Sequence, residues 1–79
     1  MKKELFENID KIHTTQMGER RIKNNLKIDY DVVDYCKEFI INDNCKIYKK
    51  GKNYYCETGN IIITINSSSF TIITAHIKE

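Results

Sequence analysis

Phe39-Ile40-Ile41-Asn42-Asp43-Asn44-Cys45-Lys46-Ile47-Tyr48 is the stretch where the chain changes its period. Before it, Val32, Val33, Cys36, Phe39 and Ile40 recur at i, i+1, i+4, i+7 and i+8, the apolar stripe of an amphipathic helix. After it, apolar and polar residues alternate and β-branched and aromatic side chains become frequent, the habit of half-buried strands. Asn42-Asp43-Asn44 lie between the two, and such residues bond their own backbone in turns. Helices first and strands second make an α+β domain.

Upstream of this switch, Leu5, Phe6, Ile9 and Ile12 keep helical spacing and predict a first helix over residues 3–12. Thr14 or Thr15 can cap a second helix, which Met17, Arg21, Ile22, Asn25 and Leu26 carry to about Asn25. Gly18 weakens that helix by about 1 kcal/mol relative to alanine. Asp29 or Asp31 caps the third. Downstream, the pattern predicts strands at Cys45–Lys49, Asn53–Glu57, Ile61–Asn66 and Phe70–Ile77, joined by turns short enough for hairpins. The expected architecture is therefore three N-terminal helices, at about 3–41, packed on a four-stranded antiparallel meander sheet at about 45–77. All of it falls in a single domain, 1–79, with Val33, Cys36, Phe39, Ile40, Ile63, Ile65 and Ile72 buried. Cys45 and Cys56 could face each other across the first hairpin if its loop is Lys49 to Lys52. Strands three and four carry isoleucine on both faces, so the face without helices must curl over a small core, meet a second copy or stay partly exposed as a working surface, and curling or a homodimer is the expectation.

Length narrows the function classes. A chain of 79 residues is too short for a β/α barrel or a complete dinucleotide-binding sheet, and no cofactor is expected. Its formal charge is only +2, but the charge is unevenly placed. Residues 1–27 carry seven Lys/Arg against four acids, 28–44 one against five, and 45–60 four against one. Two basic zones around an acidic one suit a polyanion on one side, although a solvated surface of no special role has the same composition. Glu4, Glu7 and Asp10 follow Met1-Lys2-Lys3 where a secretion signal would be apolar, no run approaches the roughly 20 apolar residues of a membrane helix, and three widely spaced cysteines suit a reducing compartment. A cytoplasmic protein without membrane contact is the expectation.

Several chemistries lack their residues. There is no nucleotide-binding glycine loop, no nucleophile-elbow serine and no hydrolase-like carboxylate pair, and the cysteines and histidines lack the two-residue spacing of zinc sites, so no metal is expected. His13 and His76 have the side chain suited to proton transfer near neutrality, although a lone histidine is more often structural. Alternation puts His76 on one strand face with Thr74, Ile72 and Phe70, and Thr71, Ile73 and Ala75 on the other. Arg21, followed by Lys23, can grip a phosphate. Tyr48-Lys49-Lys50-Gly51-Lys52-Asn53-Tyr54-Tyr55 sets lysines at a hairpin tip between aromatic rings, a combination suited to phosphate contact and base stacking, with Tyr54 and Tyr55 on opposite faces.

Two resemblances follow from these residues. His13-Thr14-Thr15, Gly18, Arg21-Ile22, Asn25-Leu26, Lys50-Gly51-Lys52-Asn53-Tyr54-Tyr55, Ile63-Thr64-Ile65-Asn66 and Ser69-Phe70-Thr71-Ile72-Ile73-Thr74-Ala75-His76 together resemble a small bacterial family of unknown function. The order of helices and meander strands, ending in a threonine-rich strand, is more distantly similar to the barnase, colicin and RelE group of metal-independent ribonucleases. That second resemblance implies a toxin-like endoribonuclease that cleaves RNA through its own 2′-hydroxyl, with an antitoxin-like protein as inhibitor. It would give His76 and His13 the acid and base roles, Arg21 with Lys23 or Lys52 the phosphate charge, and Thr74 the orienting hydroxyl. Tyr55 or Tyr54 would stack the flanking base. The alternative is a non-catalytic module that binds nucleic acid or protein through the basic hairpin and an exposed sheet face.

Overall fold

The computed structural model describes residues 2–78, so Met1 and Glu79 of the expected domain lie outside the described residues. Helix α1 spans Lys2–Glu7, α2 Gln16–Leu26 and α3 Val32–Ile41, and a single 3-10 turn covers Ile9–Lys11. Strands β1 (Lys46–Lys50), β2 (Asn53–Thr58), β3 (Ile61–Asn66) and β4 (Ile72–Ile77) form one antiparallel sheet in the order β1-β2-β3-β4. The α+β class and the meander are as the periodicity predicts.

The first helix is shorter than the expected 3–12. Asn8 leaves helical geometry at φ −112°, and its side-chain amide donates to the Glu4 carbonyl, which the broken helix would otherwise leave without a partner. The other two helices are bounded by their own side chains. Thr15 accepts from the Gly18 amide and Asp31 from the Asp34 amide, so the second of the two candidate caps is used in both places. Lys27 closes α2 in the left-handed region at φ 57°.

Glycine opens both two-residue turns, Gly51 at φ 63° and Gly59 at φ 60°, as tight hairpins require. These turns set the register. Tyr54, Cys56, Ile63, Ile65, Ile72 and Ala75 share one sheet face, and α1, α2 and α3 bury Leu5, Ile22, Leu26, Val32, Cys36 and Ile40 against them in one cluster. Full burial of an isoleucine contributes about 1.5–3 kcal/mol, so this single layer of helices on one sheet face carries most of the fold's stability.

Three expectations about detail are corrected. Val33 and Phe39 are half-buried, because the stripe of α3 is centred on Val32, Cys36 and Ile40, each one turn apart. Strand β4 begins at Ile72 rather than Phe70, whose backbone stands at φ 58° in the preceding loop while its ring packs on Tyr54. The alternation along β4 is also interrupted. Thr64 pairs with Thr74, but the next residue, Ile65, pairs with Ile72, so Ile73 is the extra residue of a bulge. Ile72 therefore faces the core with Ala75, while Thr74 and His76 face the other way, and the shared face expected for His76, Ile72 and Phe70 does not exist.

Candidate nucleic-acid interface on the uncovered sheet face

The two histidines occupy opposite ends of β4. His13 belongs to the segment before α2, which runs beside the start of β4: its amide donates to the Phe70 carbonyl at 3.2 Å and its carbonyl accepts from the Ile72 amide at 2.8 Å. Its ring is engaged on both sides. Nδ1–H donates to the Lys11 carbonyl at 2.8 Å, which leaves Nε2 of the neutral ring to accept from the Thr71 hydroxyl at 3.1 Å. Thr71 in turn lies 2.8 Å from the Ser69 hydroxyl, and Asn66 Oδ1 accepts from the Ser68 and Ser69 amides. The β3–β4 loop is thereby tied to the segment that enters α2.

Gly18 and Asn25 complete this tie. A Cβ at Gly18 would stand 2.8 Å from the Thr14 hydroxyl and 3.0 Å from that of Thr15, so any side chain there would force those hydroxyls to shift. One face of α2 further along, the Asn25 amide donates to the Ala75 carbonyl at 3.2 Å. Residues 13–25 thus cap a helix, admit close approach and cover the β4 edge, which is a structural task for a motif whose composition suggests chemistry.

His76 is built into different surroundings. It pairs with Ile62, about five residues and roughly 16 Å along the strand from the His13 contact, and its exposed ring makes no hydrogen bond or ion pair with the described residues. His13 and His76 do not share a cleft. Arg21 is exposed on α2, one turn before Asn25, beside a shallow groove it lines with Met17, Arg20 and Asn24. Lys23 forms an ion pair with Glu19 at 3.3 Å. The larger groove beside it, about 440 Å³, mixes Arg20 and Lys23 with Glu19 and Asp29, a balance that does not favour an anion.

The sheet face turned away from the helices gathers the remaining candidates. Register places Tyr48, Tyr55, Thr64 and Thr74 in one row across all four strands, and Lys46, Glu57, Ile62 and His76 in the next. The rings of Tyr48 and Tyr55 stack with centroids 5.5 Å apart and planes 19° from parallel. Lys50 ends the same face at the first turn and Lys52 stands exposed in that turn, whereas Lys49 has the opposite parity and pairs with Tyr54. Glu57 is the one acid in these two rows. Its carboxyl is held below the usual range, first by the Lys78 ammonium at 2.9 Å and then by the Tyr48 hydroxyl, and that hydrogen bond raises the Tyr48 phenol in return.

Ile62 was not among the candidates read from sequence, and Tyr48 entered only as an aromatic flanking the lysines, although the glycine turn at Gly51 sets it opposite Tyr55 once the turn length is known. The three cysteines lie on the covered side. All are buried thiols; Cys45 and Cys56 touch, but Cys56 pairs with Ile47, so they meet diagonally and not in the directly opposed register that a loop of Lys49 to Lys52 would give. Cys56 is driven well up by that contact and by burial, and burial beside Asp31 pushes Cys36 up to about 12, so these thiols behave as core groups. Among the described residues no group of three or more His, Cys, Asp or Glu is arranged to hold a metal ion, and no helix is long and apolar enough to cross a membrane.

A helical layer on one face of a meander, with a clamp closing one edge and the other face bare, defines the chain as a small α+β scaffold that presents a sheet surface. The chain belongs to the family described as a protein of unknown function (DUF3781), which it matches over residues 6–76, so the first resemblance holds for nearly its whole length. No curated protein and no solved structure matches it, and the resemblance to ribonucleases gains no support from these comparisons.

Proposed function

We propose that this protein is a non-catalytic module that binds single-stranded RNA on the uncovered sheet face. The observation that carries the reading is the stacked Tyr48–Tyr55 pair on an open sheet, bordered by Lys46, Lys50 and Lys52. Aromatic rings on a bare sheet accept bases by stacking at about 1–3 kcal/mol each, and lysines around them neutralise phosphates without reading sequence. Binding is favoured over cleavage because in-line attack needs an acid and a base about one phosphate, whereas the two imidazoles stand at opposite ends of β4 and one is already bonded on both nitrogens. A plain solvated face, whose lysines only keep strands from pairing, makes the same residues but predicts no affinity.

Fluorescence anisotropy with a labelled single-stranded RNA at several salt concentrations tests this. Tyr55→Ala should weaken binding about 5- to 150-fold, the equivalent of about 1–3 kcal/mol. Lys50→Ala and Lys52→Ala should each reduce the salt slope by about 0.7. No measurable binding by the folded protein at low salt would sink the proposal. Cleavage of the RNA in chelator, abolished by His76→Ala, would replace it with the ribonuclease reading.

A further inference from the structure

We infer that RNA on this face runs across the sheet from the tyrosine pair to β4, where His76 and Thr74 hold a second nucleotide; the inference rests on the RNA-binding reading. Its starting point is the difference between the two imidazoles. His13 uses both ring nitrogens internally, while His76 is exposed and makes no hydrogen bond or ion pair with the described residues. A histidine at the end of a core strand contributes nothing to packing when its ring points to solvent, and an unengaged ring on the same face as Tyr55 is a second surface for a base.

The register supplies the path. Thr74 lies two strand spacings from Tyr55, about 10 Å, and His76 is one pleat further, so the two rings are separated by roughly 12 Å. That is three to four times the ~3.4 Å step of a stacked strand, so a stacked trimer, with two steps, falls short of it and a longer single strand reaches. The ground between is low: Thr64 is buried to 6% exposure, and Thr74 and Ile62, the one large side chain on the path, are half-buried. Glu57, which would repel a phosphate there, is already countered by Lys78 and has Lys46 beside it.

Oligouridines of three, six and nine nucleotides, titrated against the full chain, test the inference. Wild type should gain affinity steeply from trimer to hexamer, because only the longer strand reaches both platforms. His76→Ala should leave the trimer unchanged and lower hexamer affinity about tenfold, and His76→Phe, which keeps a ring face, should restore the gain. Circular dichroism checks that both variants fold. If His76→Ala binds every length as wild type does while Tyr55→Ala still loses affinity, the crossing is wrong and the RNA-binding reading stands. His76→Phe behaving like His76→Ala overturns the stacking role, and failure of wild type to bind any length overturns both.

Discussion

A histidine stands at each end of β4, His13 beside its start and His76 near its finish, and the fold engages them differently. At the start of the strand His13 is spent on holding the chain together: two backbone bonds, a carbonyl on Nδ1 and a hydroxyl on Nε2. At its end His76 is committed to nothing within the described residues and faces the same side as a stacked tyrosine pair. Residue type alone does not separate the two. What separates them is how many of a side chain's donors and acceptors the fold has already consumed, which makes hydrogen-bond accounting a better guide to function here than the presence of an imidazole.

The contrast breaks most easily at the clamp. Gly18→Ala would raise helix propensity by about 1 kcal/mol, yet its Cβ meets the Thr14 and Thr15 hydroxyls at 2.8 and 3.0 Å, so we expect a net loss of about 1–3 kcal/mol. Thermal denaturation would register this as a fall of about 4–8 °C per kcal/mol for a domain of this size, and a rise in midpoint would show that the approach is not tight. A smaller effect sharpens the comparison directly. His13→Ala should cost about 1 kcal/mol through its lost ring bonds, while His76→Ala should stay within about 0.5 kcal/mol of wild type. Equal losses in urea melts of the two variants would erase the distinction between a spent and an available histidine.

The smallest effect belongs to Glu57. Its folded-state carboxyl lies below the ordinary 4.5, so its contribution is complete above that pH and is lost as pH falls through the lower folded value. Glu57→Gln should therefore lower the neutral plateau of a midpoint-against-pH curve slightly, flatten its acid limb below about pH 4.5, and converge on wild type at the acid end. A variant curve that stays parallel to wild type through the acid limb would mean that the Lys78 pair and the Tyr48 hydrogen bond do not hold in solution.

Much of this molecule is legible locally. The apolar spacing around Val32, Cys36 and Ile40 announces α3, and Gly51 and Gly59 announce two hairpins. Once Gly51 fixes its turn at two residues, the Tyr48–Tyr55 pairing follows by counting. The candidate site was legible only in pieces. Tyr55, Lys50, Lys52, Thr74 and His76 fall on or beside one face, but Arg21 and Lys23 are carried away on α2 and His13 is absorbed into the clamp. Gly18 is a local case of the same kind: read as a cost to its own helix, it makes room for the Thr14 and Thr15 hydroxyls at that helix's start.

Local pattern is enough for the order of helices and strands, the turns and the meander, though not for the break of the first helix at Asn8, because helical and strand periods, glycine turns and side-chain caps act over a few residues. Tertiary structure alone decided which face each β4 side chain takes. Alternation runs unbroken from Phe70 to His76 on paper, but Phe70 must turn its ring onto Tyr54, and Ile72 must reach both the His13 carbonyl and the core. Those long-range demands insert one extra residue at Ile73, and a shift of one residue in a pattern of period two moves Ile72 into the core while leaving Thr74 and His76 on the open face.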